Sequence, residues 1–127
     1  MTGQQAEARV IKYFATVHNA WVGYFEKGIS GRQPFDIIVI TNDFTYCIDV
    51  KECGKDYFPF DRVEENQELS FEFIDSLGND SVDVGFVLTH KEVAYMLSYQ
   101  DYITLKKQGI KSVKVTEQTL LGELVYE

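Results

Sequence analysis

The residues best placed to do chemistry lie between Pro34 and Gln67. Asp49 and Lys51 are two apart in a stretch that reads as a strand. Alternation sends both side chains, with Cys47, to one face, and Tyr46, Ile48 and Val50 to the other. Asp36 opens the preceding apolar run, Ile37-Ile38-Val39-Ile40, on the natural hairpin partner of that strand. Two carboxylates on neighbouring strands can hold a hard divalent cation such as Mg²⁺, which prefers oxygen ligands. The Val50 carbonyl, between Asp49 and Lys51, could supply a further oxygen. An ammonium beside such a cation can orient or help deprotonate water and stabilise charge on a phosphate. Asp36, Asp49, Val50 and Lys51 thus form a coherent site for phosphodiester hydrolysis.

Two further polar residues sit where apolar ones are expected. Glu7 aligns at helical spacing with Val10, Ile11 and Phe14, a stripe that should face a sheet. A carboxylate there is costly unless it is paired or binds a metal. Gln67 shares a stripe with Val63, Phe71 and Ile74, so its amide could touch water, metal or a phosphate oxygen. Taken singly, an Asp at a strand start is more often a cap, and Asp-x-Lys a surface ion pair. Asp49-Val50-Lys51, however, is the only acid-x-Lys triplet in the chain, and it pairs with a strand that opens Pro34-Phe35-Asp36. Together they favour function.

The elements that must position these residues can be read in outline. Gly3 to Ala20 has helical periodicity. Glycines at 23, 28 and 31, with Pro34, mark a loop or irregular hairpin. Phe35–Thr41 and Phe44–Lys51 read as a hairpin turning at Asn42-Asp43. A loop with Gly54 and Pro59 leads to a helix near Asp61–Leu77, with Asp61 as N-cap and Glu64 as its capping-box partner. Strands near Val84–Thr89 and Val93–Ser98, a helix near Tyr99–Gln108 and a last strand at Ser112–Thr116 complete the pattern. The expected fold is α/β, a central mixed sheet flanked by helices, in a single domain spanning 1–127.

Composition narrows the classes of function. The chain has 127 residues, 45% hydrophobic and 25% charged, which excludes a disordered or collagen-like chain. No apolar run reaches about 18 residues, so no membrane span is expected. Cys47 and Cys53 lack C-x-x-C spacing and read as reduced thiols. With an N-terminus unlike a signal peptide, they predict a cytoplasmic protein. The net charge of −8 is uneven. Residues 61–83 hold eight acids and one base, a net −7, which leaves −1 for the rest. An acidic helix on one side leaves the opposite face free to meet DNA. His18 and His90 lack metal-ligand spacing and read as structural or surface residues. Tyr24, Phe25, Tyr57 and Phe58 fall in predicted loops beside Lys27 and Lys55, where packing or base stacking could use them.

Asp36, twelve residues, then Asp49-Val50-Lys51 resembles the core motif of the PD-(D/E)xK nucleases, with Pro34-Phe35-Asp36 as its first part. Lys51-Glu52, Phe58-Pro59-Phe60 and Asn66-Gln67 resemble the RecU-type Holliday junction resolvases, in which E-A-K-E leads to F-P-L and then a helix bearing H-Q. Gly85-Phe86-Val87-Leu88, Val93-Ala94-Tyr95-Met96-Leu97 and Lys111-Ser112 are similar to that family's C-terminal half. The resemblance implies a restriction-endonuclease-like core and a Mg²⁺-dependent endonuclease, with Mn²⁺ as substitute. It further implies a homodimer that resolves four-way junctions in recombination and repair. Carried over by position, Asp36 and Asp49 would bind metal, Lys51 would be catalytic, Glu7 an auxiliary acid and Gln67 a motif residue near the site. Asp49 stands where Glu is usual, one methylene shorter with the same chemistry. Lys27 and Arg32, in the loop Gly23–Pro34, and Lys55 are the candidate DNA contacts. The alternatives are a non-catalytic DNA-binding or interaction module on this fold, and a nuclease of the superfamily acting on other DNA.

Overall fold

The computed structural model describes residues 1–25 and 33–124. In chain order its elements are α1 (Gly3–Val17), β1 (Trp21–Tyr24), β2 (Ile37–Ile40), β3 (Thr45–Glu52), β4 (Tyr57–Pro59) and α2 (Glu65–Ser76). There follow β5 (Val82–His90), β6 (Val93–Ser98), α3 (Tyr99–Lys107), β7 (Ser112–Lys114) and β8 (Thr119–Glu123). Six strands form one mixed sheet in the order β1-β2-β3-β5-β6-β8. All neighbours are antiparallel except β3 and β5, which run parallel, with β4 and α2 in the connection between them. β4 and β7 pair separately as a two-stranded antiparallel sheet.

The β-branched run Ile37–Ile40 cannot expose both faces to water, and alternation divides it between two cores. Ile37 and Val39, with Ile48 of β3 and Val87 of β5, pack under Val10, Tyr13 and Phe14 of α1. Ile38 and Cys47, with Phe86 and Leu88 of β5, pack toward Phe71 of α2 and Tyr99 and Tyr102 of α3. The sheet is therefore a middle layer, with α1 on one face and α2 and α3 on the other. β5 is buried along most of its length, as a central strand covered on both faces should be. Its Gly85 is required by close approach, because a Cβ there would stand 2.6 Å from the Leu97 carbonyl oxygen.

Local signals explain the ends of the elements. Thr2 caps α1, its hydroxyl accepting from the Gln5 amide at 3.2 Å while Gln5 Oε1 accepts from the Thr2 amide at 2.8 Å. The β2–β3 turn is closed by the Thr41 hydroxyl, which accepts from the amides of Asp43 and Phe44. No helix among the described residues is long and apolar enough to cross a membrane.

Several expected boundaries move. The first helix ends at Val17 rather than near Ala20. Part of the segment expected as a loop, Trp21–Tyr24, is the edge strand β1, whose Gly23 lies beneath the Trp21 ring. Asp61 does not cap a helix. It lies in a 3-10 turn, Phe60–Arg62, and α2 starts later, with Glu64 as N-cap and Gln67 at the box position. The strand at Ser112 ends at Lys114 and pairs with β4, whereas the sheet's last strand is β8.

Candidate active site

The antiparallel register of β2 and β3 pairs Ile37 with Ile48, so Asp36 stands opposite Asp49 just beyond the last paired residues. The Asp36 amide donates to the Ile48 carbonyl at 3.0 Å. Its carboxylate Oδ2 accepts from the Val50 amide at 2.7 Å, taking the place of a backbone carbonyl where β2 has not yet begun. In extended backbone the N–H and C=O of one residue point to the same side. The Val50 carbonyl therefore faces this edge too, as the amide held by Asp36 does.

Asp49 is only 1% exposed. Its Oδ1 accepts from Gln67 Nε2 at 2.8 Å. Its Oδ2 is buried without a hydrogen bond among the described residues. The Lys51 ammonium lies 3.1 Å from that oxygen, off the line of a hydrogen bond. Burial, and then the Asp36 carboxyl beside it, push the Asp49 carboxyl up to about 8, and Lys51 pulls it down without cancelling the rise. Two carboxyls in one dry corner cannot both carry charge cheaply, so Asp49 keeps its proton at neutral pH.

Gln67 links three parts of the site. Its Nε2 holds Asp49, while its Oε1 accepts from Lys51 Nζ at 3.3 Å and from the Glu64 amide at 3.4 Å. The last bond is half of the α2 capping box, so the start of the helix fixes the amide's orientation. The N-terminus of α2 is itself tied to the chain before β2, because Asn66 Nδ2 donates to the Gln33 carbonyl at 2.6 Å. Behind it Phe35 stacks on Phe71.

The structure thus brings Asp36, Asp49, Val50, Lys51 and Gln67 together. Glu7 is buried on α1, on the other face of the sheet from Gln67. Among the described residues no three Asp, Glu, His or Cys side chains converge as a metal cage, so Glu7 does not complete a three-acid cluster with Asp36 and Asp49. Lys27 and Arg32 lie outside the described residues, and Lys55 is exposed before β4. Cys47 packs in the core, where burial raises its thiol above the ordinary value. Phe58 is core as well, whereas Tyr57 is exposed.

His90 is structural. Its Nδ1 lies 2.7 Å from the Cys53 carbonyl and its Nε2 3.2 Å from Asp56 Oδ1. It thereby clamps the loop that leaves β3 after Glu52. The one signal missed in the sequence is the box Glu64-x-x-Gln67, which would have set the start of α2 and the reach of Gln67.

The oxygens present suit a hard divalent cation. Two facing carboxyls, the Asp49 one with a buried oxygen lacking a hydrogen bond, and a carbonyl on the same edge form such a donor set. Bringing a cation there would displace the proton on Asp49.

No family model matches this sequence, and no curated protein does. Among solved structures, the chain is similar to Hjc of Archaeoglobus fulgidus, a Holliday junction resolvase from an archaeal hyperthermophile. The TM-score is 0.67 at 12% identity, over 93% of this chain and 95% of that one. At that identity the likeness establishes architecture. The chain shares with it a restriction-endonuclease-like α/β fold, and Asp36, Asp49 and Lys51 lie at the β2–β3 hairpin of that fold.

Proposed function

We propose that the chain is a Mg²⁺-dependent endonuclease, with Mn²⁺ as substitute, which cuts branched DNA at four-way junctions. The observation that carries this reading is the buried Asp49 Oδ2, without a hydrogen bond, opposite Asp36 and 3.1 Å from Lys51. The fold shared with a Holliday junction resolvase supports the choice of substrate.

A divalent cation, when bound, supplies positive charge for the scissile phosphate and acidifies water. Asp36, Asp49 and the Val50 carbonyl are the residues that would hold it. Lys51 sets its ammonium beside them, where it can orient the attacking water and stabilise charge on the phosphate. Gln67 holds Asp49 Oδ1, which keeps Oδ2 turned to the site, and it restrains Lys51 through its Oε1. Residues 1–127 act as one nuclease domain of RecU-like type in the cytoplasm. Two copies form a homodimer, because paired nicks in a near-twofold junction need two sites related by a twofold axis. Lys27, Arg32 and Lys55 contact DNA phosphates, which position the substrate without reading its sequence.

The test is cleavage of an end-labelled four-way junction beside a linear duplex of the same arm sequence, in Mg²⁺. Paired nicks confined to the junction are expected. Equal cutting of the duplex would overturn junction selectivity and keep the nuclease. Binding of the junction without cutting in either Mg²⁺ or Mn²⁺ would overturn the nuclease in favour of a non-catalytic DNA-binding module.

A further inference from the structure

The two-stranded sheet beside the site has one face in the core and one in water. Phe58 of β4 pairs with Val113 of β7, and both are buried. On the other face Tyr57 is paired directly with Lys114, and Pro59 with Ser112. Tyr57 is 56% exposed, an aromatic ring that packing does not account for. Lys55 precedes it by two residues and Lys111 precedes β7, the Phe60 amide donating to the Lys111 carbonyl at 2.8 Å. None of Lys55, Lys111 and Lys114 has a carboxylate partner among the described residues, in a chain that carries −8 overall. From Tyr102 to Thr116 the sequence holds four lysines and no acid.

Beside this face lies a groove of about 740 Å³. Tyr57, Pro59, Phe60 and Ile110 give it a largely apolar lining, and Lys111 stands on its wall. Two acids also line it, Asp61 and Glu68. Glu68 is neutralised by Lys106, whose ammonium lies 2.9 Å from its Oε1, and it accepts from the Tyr102 hydroxyl. Asp61 is the remaining negative charge there.

We infer that the outer face of β4 and β7 is a second DNA contact, on which Tyr57 stacks the base of an unpaired nucleotide while Lys55, Lys111 and Lys114 hold the flanking phosphates. Every base has a π-face, so an aromatic ring among unpaired ammonium groups fits single-stranded nucleic acid without regard to sequence. Its location suits the chemistry. Tyr57 follows Lys51 by six residues, so at no more than about 3.5 Å per residue it lies within about 20 Å of that side chain's backbone, a few nucleotides along a strand. The connecting loop is fixed at Cys53 and Asp56 by His90, and the Asp56 carbonyl also accepts from the Val115 amide. The patch is therefore held against the end of β3. The inference deepens the junction reading, since strands open where they exchange, and it rests on that reading only for the source of the unpaired base.

The experiment uses the full chain and an oligo-dT labelled with fluorescein, followed by anisotropy, with 2-aminopurine placed in the strand as a reporter of stacking. Tyr57→Ala should weaken binding roughly tenfold and abolish the 2-aminopurine quenching, because stacking on an aromatic ring is worth this much per base. Tyr57→Phe should restore both. The double change Lys111→Ala and Lys114→Ala should lower the slope of log affinity against log salt by about 1.4, near 0.7 per phosphate contact on a single strand. Unchanged binding and quenching in Tyr57→Ala would overturn the inference, as would failure of Tyr57→Phe to rescue. Junction cleavage in Mg²⁺, measured in parallel, separates the two readings. Cleavage by a wild type whose binding ignores Tyr57 removes this surface and keeps the nuclease. Tyr57-dependent binding by a wild type that cuts nothing keeps the surface and removes the nuclease.

Discussion

Asp49 occupies a position where charge is expensive, and its chemistry follows from that. Folded, it keeps its proton up to about pH 8, whereas an exposed carboxyl loses it near 3.8. Between those values the folded state binds more protons than the unfolded one, so this group's contribution to stability is present below about pH 4 and is lost as pH rises to about 8. Urea denaturation in EDTA at pH 5 and pH 8 should show Asp49→Asn losing less stability than wild type across that interval. Identical losses would remove Asp49 as their source. Gln67 gives a second prediction. Gln67→Leu leaves Asp49 Oδ1 without its donor and breaks the α2 box, so it should cost about 1–3 kcal/mol of stability, read as a lower urea midpoint. At this scale the sequence is informative. Strand alternation alone places Asp49 beside Lys51, and the hairpin opposes Asp36 to Asp49. The partners of Gln67 were not legible, because they depend on where α2 begins.

The elements that carry strong periodicity, α1, the β2–β3 hairpin, β5, β6 and α3, could be read with small shifts in their ends. Those missed are short and owe their existence to neighbours. β1 contains Gly23 and persists because β2 supplies a ladder and Trp21 covers the glycine. β4 has three residues, one of them proline, and forms only against β7. No local pattern announces a pairing across more than fifty residues. The sequence points to too early a start for α2 because Asp61 resembles a cap, whereas the segment Phe60–Arg62, with Phe60 buried, is a 3-10 turn. Packing of sheet elements also carries a prediction. Gly85→Ala would drive a methyl into the Leu97 carbonyl and the Ser98 backbone, neither of which can rotate away. A loss of about 1–3 kcal/mol is expected, the usual cost of overpacking a core, and a stability equal to wild type would contradict the close approach of β5 and β6.

Across the whole molecule, charge is divided by element. The acids of α2 sit on the far layer from α1, while the lysines between 106 and 114 gather at the end of α3 and on β7. A chain of net −8 can approach a polyanion through such a face, and its affinity for DNA should fall steeply with salt. Single-turnover cutting of a labelled four-way junction tests whether Asp36 and Asp49 form a cation site that drives cleavage. Wild type stripped with EDTA should be inactive, and adding Mg²⁺ should restore cutting. Asp49→Asn should bind the junction and lose about two orders of magnitude in rate or more, the scale of losing a group that stabilises developing charge. Cutting that persists in EDTA, or an Asp49→Asn rate equal to wild type, would rule out a catalytic cation site at Asp36 and Asp49.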